Sequence, residues 1–214
     1  MSEPARRLAV LISGRGSNML RVLDAIEAGQ LPALPVLVLA DTPEAAGLAL
    51  AAQRGVGTAV CAPRDHADRD TWARALTTQL EAVGAELVAL AGFMRVLPAA
   101  FCDRWHGRLL NIHPSLLPRH KGLDTHQRAL DAGDREAGCS VHFVTAELDG
   151  GPLIAQSRVA IRAGETADSL AERVLKREHV LYPQVLTWCA TGQVTLRHGH
   201  VHRGDTKLAA PLEV

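Results

Sequence analysis

The chain has 214 residues, 47% of them hydrophobic, enough for one α/β domain with a substantial core but cramped for two. Lysine plus arginine and aspartate plus glutamate both total 23. A zero balance argues against a nucleic-acid partner, which would ask for a basic excess. The four cysteines, Cys61, Cys102, Cys139 and Cys189, have no C-x-x-C spacing and read as buried or incidental thiols. The opening apolar run stops at Gly14, too short for a membrane span and without a cleavage site, so no membrane partner and a cytoplasmic location are expected.

In chain order, the runs RRLAVLIS, PVLVLA, GTAVCA, AELVALAG and GRLLNIH each end in glycine or polar residues and read as strands of a parallel sheet. Helical spacing fills the gaps over 17–29, 43–54 and 70–83, with Thr42 and Asp70 as expected caps. Past Pro114 the pattern changes to a proline-rich loop, a helix over 125–132, and a hairpin of CSVHFVT and GPLIAQSRVAI about the turn LDGG. A long final helix over 166–189, bent at Pro183, directs Leu170, Val174, Leu175 and Leu181 inward. The expectation is a single-domain Rossmann-like α/β fold over 1–190, with 191–214 a peripheral tail of the same domain.

Between the first strand and its helix lies Ser13-Gly14-Arg15-Gly16-Ser17-Asn18. Glycines let a backbone turn tightly against a ligand, and free N–H groups at a helix start suit a phosphate. The plain alternative is a β-α turn with Ser17 or Asn18 capping the helix. A dinucleotide site would use Gly14, Gly16 and Asp41, an acid about 20 residues on, but Met19 fills the place of the third glycine. A nicotinamide-dependent oxidoreductase and a non-catalytic phosphate-binding protein therefore stand as rivals at this point.

Asn111 and His113, two apart at the carboxyl end of a strand, point to the same side where open α/β sheets bind ligands. Pro114 keeps His113 extended. An imidazole moves protons near neutrality, a carboxamide donates to an oxyanion, and a carboxylate orients either. Asp149, before Gly150 and Gly151, is the candidate carboxylate. Taken singly, each of the three reads more readily as a structural residue. A zinc reading of His113, His120, His126 and His142 finds no H-E-x-x-H spacing, and no metal is expected.

Together LISGRGSN, LAGFMRVLP, GRLLNIHPSLLP, GLDTHQRAL, SVHFVTAELDGGP and REHVLYP, in order from about Leu8 to Pro183, resemble the glycinamide ribonucleotide formyltransferases, a folate-dependent family of purine synthesis. The resemblance implies a mostly parallel formyltransferase fold and two small-molecule partners, glycinamide ribonucleotide and the co-substrate 10-formyltetrahydrofolate. It implies that Gly16, Ser17 and Asn18 hold the phosphate and that Glu178 contacts the ribose. The folate pocket would comprise Arg69, Met94, Arg95, Val96, Leu97 and Asn111, with Thr145, Ala146, Glu147, Leu148 and Asp149 opposite; core packing is the other reading of Met94 and Leu97. Asn111, His113 and Asp149 would be the catalytic trio, Asn111 and a protonated His113 stabilising the tetrahedral oxyanion while Asp149 raises the imidazole pKa. Roles for Arg15, Lys121 and Asp124 do not follow from the resemblance. Methionyl-tRNA formyltransferases and formyl-folate hydrolases share the core, but the former carry a further C-terminal domain and the latter a regulatory domain ahead of the first strand, neither of which this sequence leads one to expect. A homodimer stays open, because an exposed apolar helix face reads like a core face.

Overall fold

In the computed structural model, which describes residues 5–214, strand β1 (Arg6–Ile12) is buried from Leu8 onward. A strand covered on both faces carries a continuous apolar run, and β1 divides its run between two layers. Leu8, Val10 and Ile12 enter one core, Ala9 and Leu11 the other. Strands β2 (Ala33–Ala40), β3 (Thr58–Val60), β4 (Leu87–Leu90) and β5 (Leu109–His113) join it in parallel. The hairpin of β6 (Glu136–Phe143) and β7 (Leu153–Ala160) then adds antiparallel to β5.

The first core packs against α1 (Ser17–Glu27), α2 (Gly47–Gln53), α5 (Thr125–Asp131) and α6 (Ala167–Ala190); the second packs against α3 (Arg69–Ala82) and α4 (Ala99–Arg104). Leu170, Val174 and Leu181 of α6 are fully buried, whereas Leu175 is half-buried. Thr166 caps α6 by accepting the Ser169 N–H at 3.3 Å, and the helix stays helical across Pro183. No helix among the described residues is long and apolar enough to cross a membrane.

Several local expectations are corrected. Helix α2 starts at Gly47 rather than Pro43, and Thr42 is not its cap: the Thr42 hydroxyl bonds the Glu44 carboxylate while residues 42–46 turn. The cap of α3 is Asp68, not Asp70. Asp68 Oδ1 accepts the Thr71 N–H at 2.7 Å and Thr71 Oγ1 accepts the Asp68 N–H at 3.1 Å, a reciprocal box that leaves Asp70 in the first turn. Helix α4, too short to show a period, was not anticipated; it buries Phe101 and Cys102.

The residues after Gly192 are more ordered than a peripheral tail. Strands β8 (Val194–Arg197), β9 (His200–Arg203) and β10 (Thr206–Lys207) form a second antiparallel sheet that buries Val194 and Val201 in the first core. Strand β11 (Leu212–Glu213) then lies parallel to β7, with Leu212 opposite Ala155, completing the order β11-β7-β6-β5-β4-β1-β2-β3.

Candidate active site

The carboxyl ends of β1, β4 and β5 open on one edge of the sheet. Asn111 and His113 sit at the end of β5, where antiparallel pairing sets Asn111 opposite His142 and His113 opposite Ser140. Asp149, at φ +46 in the loop that follows β6, returns over the strand ends. Its Oδ2 is 3.4 Å from His113 Nδ1 and its Oδ1 is 3.7 Å from His142 Nε2. Asn111 Nδ2 lies 3.3 Å from His142 Nε2. The three expected residues therefore meet around a fourth, His142, which sequence reasoning weighed only as a metal ligand. Its signal was the hairpin register, readable only once β5 and β6 are paired.

Carbonyl oxygens assign the ring protons, since they only accept. His113 Nε2 donates to the His120 carbonyl at 3.0 Å, leaving the lone pair of the neutral ring on Nδ1, toward Asp149. His142 Nδ1 lies 2.9 Å from the Phe143 carbonyl, and its Nε2 stands between Asn111 Nδ2 at 3.3 Å and Asp149 Oδ1 at 3.7 Å. Burial lowers the His113 pKa below the ordinary histidine value, outweighing the His120 carbonyl and Asp149, which act to raise it. Asp149 thus raises the imidazole pKa as expected of it, while desolvation of the ring acts more strongly in the opposite sense. Burial alone would raise Asp149, but the neighbouring His142, the Gly122 N–H at 2.9 Å and His113 hold it below the ordinary carboxylate value.

At the end of β1, Gly16 adopts φ +74 ahead of α1, and neither Ser17 nor Asn18 caps the helix. A Cβ on Gly16 would stand 2.8 Å from Met19 Cε and 3.2 Å from the Gly47 Cα. Met19 thus packs beneath the loop in the place of the dinucleotide fingerprint's third glycine. Gly47, which sequence reasoning missed, donates its N–H to the Gly14 carbonyl at 3.0 Å and supports the loop from α2. The first-turn N–H groups of α1 are left pointing outward, and the helix dipole favours an anion there. Asn18 Nδ2 donates to Glu178 Oε2 of α6 at 2.6 Å, and the buried Asn18 Oδ1 has no partner among the described residues. Burial raises the Glu178 pKa, which its bond from Asn18 only partly offsets. Arg15 is exposed.

The cleft beside the trio is walled by Arg95, Val96 and Leu97 on one side and residues 145–149 on the other. Val96 and Leu148 are about half exposed, at 50% and 51%, which leaves apolar surface for a flat ring. Leu97 is 5% exposed and belongs to the second core, Met94 is largely exposed beside the cleft, and Arg69 lines an adjoining groove with Val96, Leu97 and Ala146. Arg69 Nη2 donates to the Val96 carbonyl at 2.7 Å, and the Met94 N–H donates to Ser13 Oγ at 2.8 Å, tying this loop to the glycine loop. Arg95 Nε pairs with the buried Asp41 at 2.5 Å, so the acid a dinucleotide site would need is already engaged. Lys121 pairs with Glu147 at 2.7 Å across the cleft mouth, and Asp124, at φ +56, precedes α5 without a side-chain cap bond. A larger groove between α1 and α6, about 560 Å³, contains none of these groups.

A mostly parallel sheet carrying a glycine loop ahead of its first helix and a His-Asn-Asp cluster at the carboxyl ends of its strands defines the class. The model of the formyl transferase family matches residues 6–186, and the chain belongs to that family. It is 43% identical over 189 residues to the phosphoribosylglycinamide formyltransferase of Escherichia coli (strain K12), covering 88% of this chain and 89% of that one. It is also 43% identical over 194 residues to the trifunctional purine biosynthetic protein adenosine-3 of Drosophila melanogaster, a match that takes 90% of this chain but 14% of the relative. The solved structure of the phosphoribosylglycinamide formyltransferase of Coxiella burnetii superposes with a TM-score of 0.94 at 38% identity, covering 98% of this chain and 99% of that one. The expected α/β formyltransferase fold, with its hairpin extension and long final helix, is the observed one.

Proposed function

We propose that this chain transfers the formyl group of 10-formyltetrahydrofolate to the amine of glycinamide ribonucleotide, a step of purine biosynthesis. The observation that carries the reading is the meeting of Asn111, His113 and Asp149 around His142, beside a cleft that Asn111 and Asp149 line and whose 94–97 wall is tied to the glycine loop through Met94 and Ser13. The relatives' names supply the phosphorylated substrate. Gly16, Ser17 and Asn18 take its phosphate on the first turn of α1, and Glu178 takes the ribose hydroxyls. The pterin ring of the co-substrate lies between the 95–97 wall and residues 145–149, and Arg69 holds the outer end of that wall.

The substrate amine attacks the formyl carbon, forming a C–N bond and a tetrahedral oxyanion that receives an Asn111 amide hydrogen. His113, neutral and with its lone pair on Nδ1, accepts the proton the attacking amine releases. Asp149 stabilises the resulting imidazolium. As the bond from the formyl carbon to N10 breaks, its electron pair returns to N10 and the imidazolium restores the proton there, directly or through water. No covalent intermediate on the protein forms. The cytoplasm is the compartment proposed for this activity, which the relatives' purine-synthesis names support.

The test is to incubate the protein with glycinamide ribonucleotide and a stable 10-formyl-folate analogue and to follow deformylated product by absorbance. Release that requires the ribonucleotide is the expected result. Release without it would replace the transferase reading with a hydrolase, and no release, together with micromolar NADH binding, would replace it with a nucleotide-binding role.

A further inference from the structure

The proton assignment of His113 depends on one carbonyl. Because the His120 oxygen only accepts, its 3.0 Å contact with His113 Nε2 keeps the proton of the neutral ring there and frees Nδ1. His120 holds that carbonyl in place from a left-handed backbone conformation, φ +54, which a residue with a Cβ occupies at a cost and keeps only when its neighbours impose it.

The neighbours are identifiable. Asp134, in the turn between α5 and β6, spends both carboxylate oxygens on two successive loop residues: Oδ2 lies 2.7 Å from His120 Nε2, and Oδ1 accepts from Arg119 Nη1 at 2.8 Å. The His120 and Asp134 side chains are each only 14% exposed, so the pair is partly withdrawn from solvent screening. Further along the loop, Arg128 Nη1 donates to the Lys121 carbonyl at 2.6 Å and to the Leu123 carbonyl at 3.2 Å. The His120 side chain is thus anchored on Asp134 and the following peptide groups on Arg128, with the His120 carbonyl oxygen between them bonded to His113.

We propose that Asp134 is a positioning residue: by anchoring His120 it holds the carbonyl that places the His113 proton on Nε2 and leaves Nδ1 free to receive and return the proton that moves in the reaction. The consequence for catalysis rests on the formyl-transfer reading; the proton placement rests on geometry alone. Asp134 is not among the trio, the cradle or the folate wall. Besides His120, the charged or titratable groups that bear on His113 are Asp149 from its loop, His142 from β6, and His126 and Arg128 from α5.

Ring 15N chemical shifts of His113, assigned by the signals lost in His113→Gln, test this in ligand-free protein at alkaline pH. In the unaltered protein the Nε2–H tautomer is expected; an Nδ1–H pattern overturns the proposal with no further variant. In Asp134→Ala the expected result is a mixture of tautomers, with kcat reduced about tenfold or more and each KM changed by less than about twofold. The acid limb of kcat/KM is expected to move to lower pH, because the carbonyl that favours the protonated ring has been released. A folded variant with lower Tm but unchanged tautomer and pH profile would make Asp134 an anchor of the loop and nothing more. If Asp134→Ala does not fold, Asp134→Asn, which removes the charge at nearly constant volume, supplies the same two readouts. An unaltered protein with no transferase activity would sink the formyl-transfer reading while the tautomer of the variant still decides this one.

Discussion

At the end of β1 the glycine loop offers backbone: outward N–H groups of α1, a left-handed Gly16 and, beneath it, Gly47 from another helix. At the end of β5, two strands away across β4, the site offers side chains, with His113, Asn111, His142 and Asp149 all within 3.7 Å of a neighbour in the group. In the proposed function the cradle acts by shape and by dipoles that carry no titratable proton, so its failure mode is steric. The proposed proton centre acts through pKa values on which burial and the partners pull in opposite senses, so its failure mode is electrostatic. A substitution in the first should therefore change KM for the phosphorylated substrate, and one in the second should change kcat and its pH profile.

The sharpest way to break the comparison is His113→Ala. Loss of the proton acceptor should lower kcat by at least about a hundredfold with folding, read by circular dichroism, unchanged. In the proposed mechanism the neutral ring is the working form, and burial acts to lower its pKa. Activity should therefore persist as pH falls past the ordinary histidine range and be lost only below it, which a kcat/KM profile between pH 4 and 9 reads directly. An acid limb above that range would mean a different group governs.

Gly47→Ala probes the other side. The new Cβ would stand 2.5 Å from the flexible end of Ile12, but also 3.2 Å from the Gly14 carbonyl and 3.3 Å from the Gly16 Cα, so the cradle backbone has to move. KM for the ribonucleotide should rise about tenfold, with kcat at saturation and KM for the folate little changed. A fall in kcat instead would show that the two regions are not separable.

Glu178→Gln separates binding from stability. A carboxyl whose folded pKa is raised stabilises the fold fully only below its unfolded value, and that contribution is lost as pH rises through the folded value. At pH 8 the ligand-free Gln variant should therefore melt higher by about 2 °C, and the gain should vanish near pH 4. Its KM for the ribonucleotide should still rise, because the ribose loses its carboxylate. The smallest effect is expected at Lys121→Ala: its pair with Glu147 is 33% and 69% exposed, and both kcat and KM should change by less than about twofold.

What could be read from the sequence was what the chain carries locally. The strand runs, the glycine loop before α1, and Asn111 and His113 two residues apart all follow from the alternation of strand side chains and the conformational freedom of glycine. Asp149 was legible as a carboxylate ahead of two glycines, and resemblance across ordered motifs added Glu178, which spacing alone would not have joined to them. Tertiary structure decided what depends on distant segments meeting. The register of β5 against β6 sets His142 beside Asn111, the packing of α2 brings Gly47 under Gly16, and the salt bridge from Arg95 occupies Asp41. It also decided the direction in which the His113 pKa is displaced, because desolvation depends on everything packed around the ring, and the Asp149 that the sequence singles out is only one of several opposing influences on it.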